Sequence, residues 1–274
     1  MPEEALMPQP LDVITLGVPD VYAAKAFYSA VFSPIEMGQG NDAELDLHGT
    51  GRVRLAEIGT LASESGLSPD TSGFRGQVMT YAVEQPGEVE FLLEAAVKHG
   101  ATVLKPAKKS LFAGVSAVFR SPDGSVWKLA APRRKDSGPL GDPPQPTETV
   151  VILGVTSPKA SRDFYVAMGM QVDRDYGDKF IDFALVPGTC RLGLMTRKSL
   201  AKDAGVDAAG SGFGASVLNR EAGSRQEVDA LLEKAAASGG KVVVQVADTR
   251  EGGYAGLFAD PDGFLWNVEY APTT

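Results

Sequence analysis

The stretch DPDGFLWNVEYAP, Asp260 to Pro272, has an earlier counterpart in SPDGSVWKLAAP, Ser121 to Pro132. Each opens on a Pro-Asp-Gly turn, in which proline presets one dihedral angle and glycine takes the left-handed one. A strand follows, with side chains alternating in direction. Trp127 and Trp266 stand 139 residues apart. Upstream, LDVITLGVPDVYAAKAFYSAVF (Leu11–Phe32) is matched by TVVILGVTSPKASRDFYVAMGM (Thr149–Met170). Gly17 and Phe27-Tyr28 recur 137 residues later as Gly154 and Phe164-Tyr165. Two long matches in one order, at nearly one spacing, mark an internal duplication.

Each copy repeats one pattern twice: a strand, a helix, then further strands. Val13–Val18 is a short run rich in branched residues, a strand signal. Asp20 then offers an N-cap, and Ala24, Phe27, Tyr28 and Val31 recur at helical spacing. In the second copy Ser157 is the cap and Pro158 takes the first helical position. Further helices carry Val89, Leu92 and Ala96 up to Gly100, and Val228, Leu231 and Ala235 up to Gly239. The copies span residues 11–132 and 149–272. RRKDSGPLGDPPQPTE (133–148), dense in proline and glycine, is expected to be an extended connector.

A chain of 274 residues is ample for two cores. Its net charge of -9 argues against general nucleic-acid binding, which needs a dense basic face. Cys190 is the only cysteine, so no intrachain disulfide can form, and a cytoplasmic setting is expected. MPEEALMPQP at the start lacks the apolar core of a secretory signal, and no apolar run is long enough to span a membrane.

The ITLGVPD start, the helix ending in Phe-Tyr and the DPDG-x-x-W finish resemble the vicinal oxygen chelate superfamily, which includes glyoxalase I, extradiol dioxygenases and bleomycin-resistance proteins. The resemblance covers both copies. It implies an α+β fold of four βαβββ units in two tandem glyoxalase-like domains, each a curved eight-stranded mixed sheet around a cleft. Family enzymes hold a divalent cation with His and Glu on strand positions facing that cleft. Here the positions carry Val13 and Val150 for His, and Lys128 and Asn267 for Glu. The strands at 76–83 and 214–219 begin without His or carboxylate. Valine offers no lone pair, and an ammonium repels a cation. His99 at a helix end and His48 before a turn read as structural, and Asp46 and Asp182 as facing solvent. No metal and no cofactor are expected.

Strand alternation sends Val13 and Thr15 into the first cleft, and Val150 and Ile152 into the second. Phe112 and Lys128 are assigned to the first, and Phe183, Asn267 and Glu269 to the second. Tyr254 fits either cleft lining or packing. A concave, mostly apolar wall with a few polar groups suits a small organic molecule. The expected function is therefore metal-free binding of a hydrophobic or aromatic ligand, as in bleomycin-resistance proteins. The alternative is a lyase, isomerase or dioxygenase-like enzyme lacking the usual metal site, with Glu269 or Lys128 moving a proton in the lyase or isomerase case. The segments 60–74 and 197–213 read as flexible connectors able to cover the cleft mouths. The expected assembly is a monomer with an internal pseudo-dimer, or a homodimer.

Overall fold

The computed structural model describes residues 10–37, 43–110, 114–249 and 252–272. The first unit comprises β1 (Val13–Val18), α1 (Val21–Phe32), β2 (Ile35–Met37), β3 (Ala43–Asp46) and β4 (Arg52–Glu57). After α2 (Ile58–Glu64) and β5 (Thr71–Gly73), the second unit follows: β6 (Gln77–Ala82), α3 (Pro86–Lys98), β7 (Thr102–Lys109), β8 (Val115–Arg120) and β9 (Val126–Ala131). The third unit has β10 (Glu148–Val155), α4 (Pro158–Ala167), β11 (Val172–Asp175), β12 (Ile181–Phe183) and β13 (Arg191–Thr196). Then come α5 (Arg197–Ala204) and β14 (Gly210–Gly212). The fourth unit has β15 (Ser216–Glu221), α6 (Arg225–Ala237), β16 (Lys241–Asp248), β17 (Tyr254–Ala259) and β18 (Leu265–Tyr270). The caps are those the sequence predicts: Asp20 accepts from the Ala23 N–H at 2.9 Å, and Ser157 from that of Ala160 at 3.4 Å.

The strands form two eight-stranded mixed sheets, as expected of paired βαβββ units. The pairing, however, crosses between the copies. One sheet runs β16-β17-β18-β15-β1-β4-β3-β2, uniting the first and fourth units. The other runs β11-β12-β13-β10-β6-β9-β8-β7, uniting the second and third. The seams are antiparallel, Thr15 opposite Val217 and Val150 opposite Thr80. This corrects the expected sharing of residues. Val13 and Thr15 belong with Asn267 and Glu269, whereas Val150 and Ile152 belong with Lys128. Both β1 and β10 are buried almost throughout, so each needs a strand on both sides, and the seam supplies one of them. A small ribbon, β5 with β14, joins the copies where Ser72 meets Ser211 at 3.0 Å between hydroxyls.

Ile14, Leu16 and Val18, with Val151, Leu153 and Val155, pack toward the helices in one continuous core, as alternation predicts. Trp127 and Trp266 lie in that core with the helix tyrosines. The Trp127 indole N–H donates to the Tyr28 oxygen at 3.3 Å, and Tyr28 donates to Asp123 at 2.6 Å. In the second copy Trp266 donates to Tyr165 at 3.2 Å, and Tyr165 to Asp260 at 2.6 Å. The acid thus comes from the third residue of SPDG in one copy and the first of DPDG in the other. Burial, and then the neighbouring carboxylate, raises both tyrosines well above their ordinary range.

Burial also pushes the Asp260 carboxyl up to about 6. Its folded value lies above the unfolded one, so between about pH 4 and 6 the native state keeps a proton that the unfolded chain releases. This group's contribution is therefore favourable below that window and is lost as pH rises through it. Asp260→Asn can still accept from Asp262 and Phe264 N–H but does not titrate. Urea unfolding of both proteins at pH 4 and pH 7 is expected to show the variant gaining on the native protein by about 2 kcal/mol as pH rises. A difference independent of pH would contradict the assignment.

The segments expected to be flexible connectors are built otherwise. Each contains a short helix and a three-residue strand. Thr196 caps α5, accepting from the Ser199 N–H, and Gly205 ends it at φ 75°. Leu200, Ala201 and Ala204 pack on Val78, Val150 and Ile152, so α5 plugs one end of the second hollow. Leu61 and Ala62 of α2 pack with Val217 and Leu257 in the first. The repeated glycines make room for these plugs. A methyl at Gly154 would lie 3.0 Å from the Arg197 Cα, and one at Gly17 would lie 3.2 Å from Ile58. The connector 133–148 runs along the start of α3, where Gln85 accepts from Ser137 and Gly138 N–H.

Candidate functional site

Two hollows lie on the concave faces, one per sheet. The first has a cavity of about 270 Å³ with a polar floor from β1, β4, β15 and β18. The Asn219 amide N–H donates to Thr15 Oγ1 at 3.0 Å, and that of Asn267 to Glu269 at 3.0 Å. Arg54 stands 3.1 Å from Glu44 and 3.7 Å from Glu269. Val13 shares this face but is fully buried, flanked by Arg52 and Asn219, and does not line the cavity. Tyr254 points the other way. Ala255 and Leu257 line the hollow, so alternation turns Tyr254 toward α6, where its hydroxyl donates to Asp229 at 2.9 Å.

The second hollow is larger, about 710 Å³, with Val150, Ile152, Phe180 and Met195 as its apolar wall. Gly193 makes space for the Phe180 ring, since a methyl there would sit 3.2 Å from it. Thr80 lines the cavity beside Lys128, and among the described residues its buried hydroxyl has no hydrogen-bond partner. Lys128 is held 2.7 Å from Asp203 of α5. Phe183, expected here, instead packs on Tyr165 with ring centroids 5.6 Å apart. Its neighbour Asp182 takes the hollow side and is fully buried, which overturns the solvent-facing reading. Arg174 bonds to it through both side chain and backbone, and Arg191 lies 3.7 Å away. Asp46 accepts from the Gly49 N–H at 2.6 Å, completing a turn. Phe112 lies outside the described residues.

Residues 149–268 match the family profile described as Glyoxalase/Bleomycin resistance protein/Dioxygenase superfamily. Matches among solved structures extend over both copies. A proposed dioxygenase from Bacillus subtilis aligns over 97% of this chain and 87% of its own, at 14% identity and a TM-score of 0.64. Glyoxalase I from Zea mays aligns over 96% of this chain and 92% of its own, at 18% identity and a TM-score of 0.63. The superfamily's profile thus covers the second copy, and the chain as a whole shares its fold. At these identities the solved structures establish the fold alone. No match is found among curated proteins.

The metal that this superfamily implies does not fit the residues present. Val13 and Val150 have no donor atom. Lys128 brings a positive charge, already paired with Asp203, and the Asn267 amide is turned to Glu269 and Asn219. Among the described residues no three His, Cys, Asp or Glu side chains gather as a metal site. His48 Nε2 lies 3.1 Å from the Phe32 carbonyl, and His99 caps the C-terminal end of α3. Burial pushes the Cys190 thiol up to about 12, so it stays protonated. Among the described residues no helix is long and apolar enough to cross a membrane.

Reading the sequence alone misses Asn219, Arg54, Thr80, Phe180 and Asp203. Arg54 was within reach, because RVRLAE alternates and its arginines must share a face. Thr80 and Asn219 each stand fourth in a six-residue strand, past the strand starts where the family places a metal ligand. Asp203 sits in a segment read as a connector.

Proposed function

We propose that this protein binds a hydrophobic or aromatic small molecule in the second hollow, without a metal. The observation that carries this reading is the cavity of about 710 Å³ walled by Val150, Ile152, Phe180 and Met195. That volume lies within the range of small-molecule sites, roughly 300–1,000 Å³. The few polar groups at its margin, Thr80 and Lys128 above all, orient the ligand. Sequestration of a drug or metabolite is the specific form of the proposal, and a cytoplasmic setting goes with it. The first hollow, smaller and crossed by ion pairs, acts mainly as support.

A thermal-shift screen of aromatic metabolites and antibiotics tests this. At least one compound is expected to raise Tm in proportion to the logarithm of its concentration, reaching about 2.7 kcal/mol of stabilisation at a hundredfold excess over Kd. Ile152→Trp, which sets a bulky indole on the apolar wall where the ligand lies, abolishes the shift. A shift that survives this substitution, or none from any compound, contradicts the reading. Stoichiometric zinc, nickel, iron or manganese in the purified protein would overturn its metal-free part.

A further inference from the structure

A further cavity of about 560 Å³ lies beside the second hollow, and Asp203 lines both. Lys105, Lys108 and Lys109 of β7 all line it. Simple alternation would not aim three such residues into one space. The register of β7 against β8 shifts between Val103 and Lys105 and again between Lys105 and Lys108. Bulges of this kind re-aim side chains, and here they gather the lysines. Lys105 donates to the Lys202 carbonyl at 2.7 Å. Among the described residues neither Lys108 nor Lys109 has a carboxylate partner. Among the described residues Asp203 is the one acid lining the cleft, and it is drawn to Lys128.

The other copy supplies a comparison within the molecule. Strand β16 lies 139 residues later and carries the same two register shifts. In place of the lysines it has Val244, Ala247 and Asp248, and Asn267 stands where Lys128 does. The architecture alone therefore does not call for a basic edge. The edge belongs to the second hollow only, in a chain whose net charge is -9. At the opposite end of that sheet Arg174 and Arg191 are committed to Asp182, Asp173 and Glu148. Among the described residues that line the second hollow and its neighbouring cavity, the cations without a carboxylate partner are thus on β7.

Resting on the binding function proposed above, we infer that the ligand is an amphiphilic organic anion. Its apolar or aromatic body lies on Val150, Ile152 and Phe180. Its carboxylate, sulfonate or phosphate enters the lysine cleft and competes with Asp203 for Lys128.

Two fluorescent probes that share an aromatic body test this: 1-anilinonaphthalene-8-sulfonate and the neutral N-phenyl-1-naphthylamine. Both are expected to bind the native protein and to be excluded by Ile152→Trp. The sulfonate should bind roughly tenfold tighter in low salt, and the advantage should shrink as salt rises. The double variant Lys108→Gln, Lys109→Gln should remove the difference between the probes, and Asp203→Asn should widen it. Equal affinity of the native protein for the two probes would overturn the anionic ligand while leaving the hollow as a binding site. Failure of both probes to bind, or binding indifferent to Ile152→Trp, would overturn the binding reading itself.

Discussion

Residues 1–144, produced without the rest of the chain, are expected not to yield a folded monomer. Each copy looks self-sufficient in sequence, but its two units share neither of the eight-stranded sheets. Cutting the chain strips β1 of β15 and β6 of β10, exposing one edge on each of two strands that are buried nearly throughout. Exposed apolar strand edges recruit partners. The fragment should therefore dimerise with itself or aggregate. Co-production with residues 145–272 should give a one-to-one complex that melts cooperatively. Size-exclusion chromatography with light scattering distinguishes these outcomes, and a stable monomeric half would refute the crossed pairing.

The second large effect is expected at the duplicated tryptophan. Trp266→Ala removes an indole that is almost fully buried between Tyr165 and Phe258, with ring centroids 5.8 and 6.2 Å away. Replacing such a ring by a methyl costs about 3–5 kcal/mol. Trp127→Ala should cost as much, since Trp127 is fully buried against Phe32 and Tyr28. Tyr28 and Tyr165 would each lose a donor as well, so Trp266→Phe, which keeps a ring, should be milder than Trp266→Ala but not neutral. Urea denaturation of the three variants checks the order. A loss below about 1 kcal/mol for either alanine variant would exclude the core role.

The fold was legible because its signals are local. Caps at Asp20 and Ser157, apolar spacing on α1 and α4, and the PDG turns each report on a few neighbouring residues. Sheet pairing is not local. Nothing in β1 says whether β6 or β15 will lie beside it, since both present the same branched, buried pattern. That choice moved Val13 and Thr15 away from Lys128. The short edge strands β2 and β11 are not legible because they are only three and four residues long and exposed throughout. Within the site, alternation placed Thr15, Ile152, Lys128, Asn267 and Glu269 on the concave faces. It misplaced Phe183 by one residue, and a one-residue slip reverses the face. The plugs α2 and α5 were hidden by Ser-, Gly- and Asp-rich surroundings, although Thr196 and the Leu200-Ala201-Ala204 spacing are an ordinary helix signature.

The connector 133–148 sits between the two repeats, yet it is no frontier between two independent chambers. Every chamber takes one wall from each parent repeat. Neither repeat therefore holds a complete chamber of its own. The lysine-edged chamber and its amide-floored twin differ through residues distributed over both repeats.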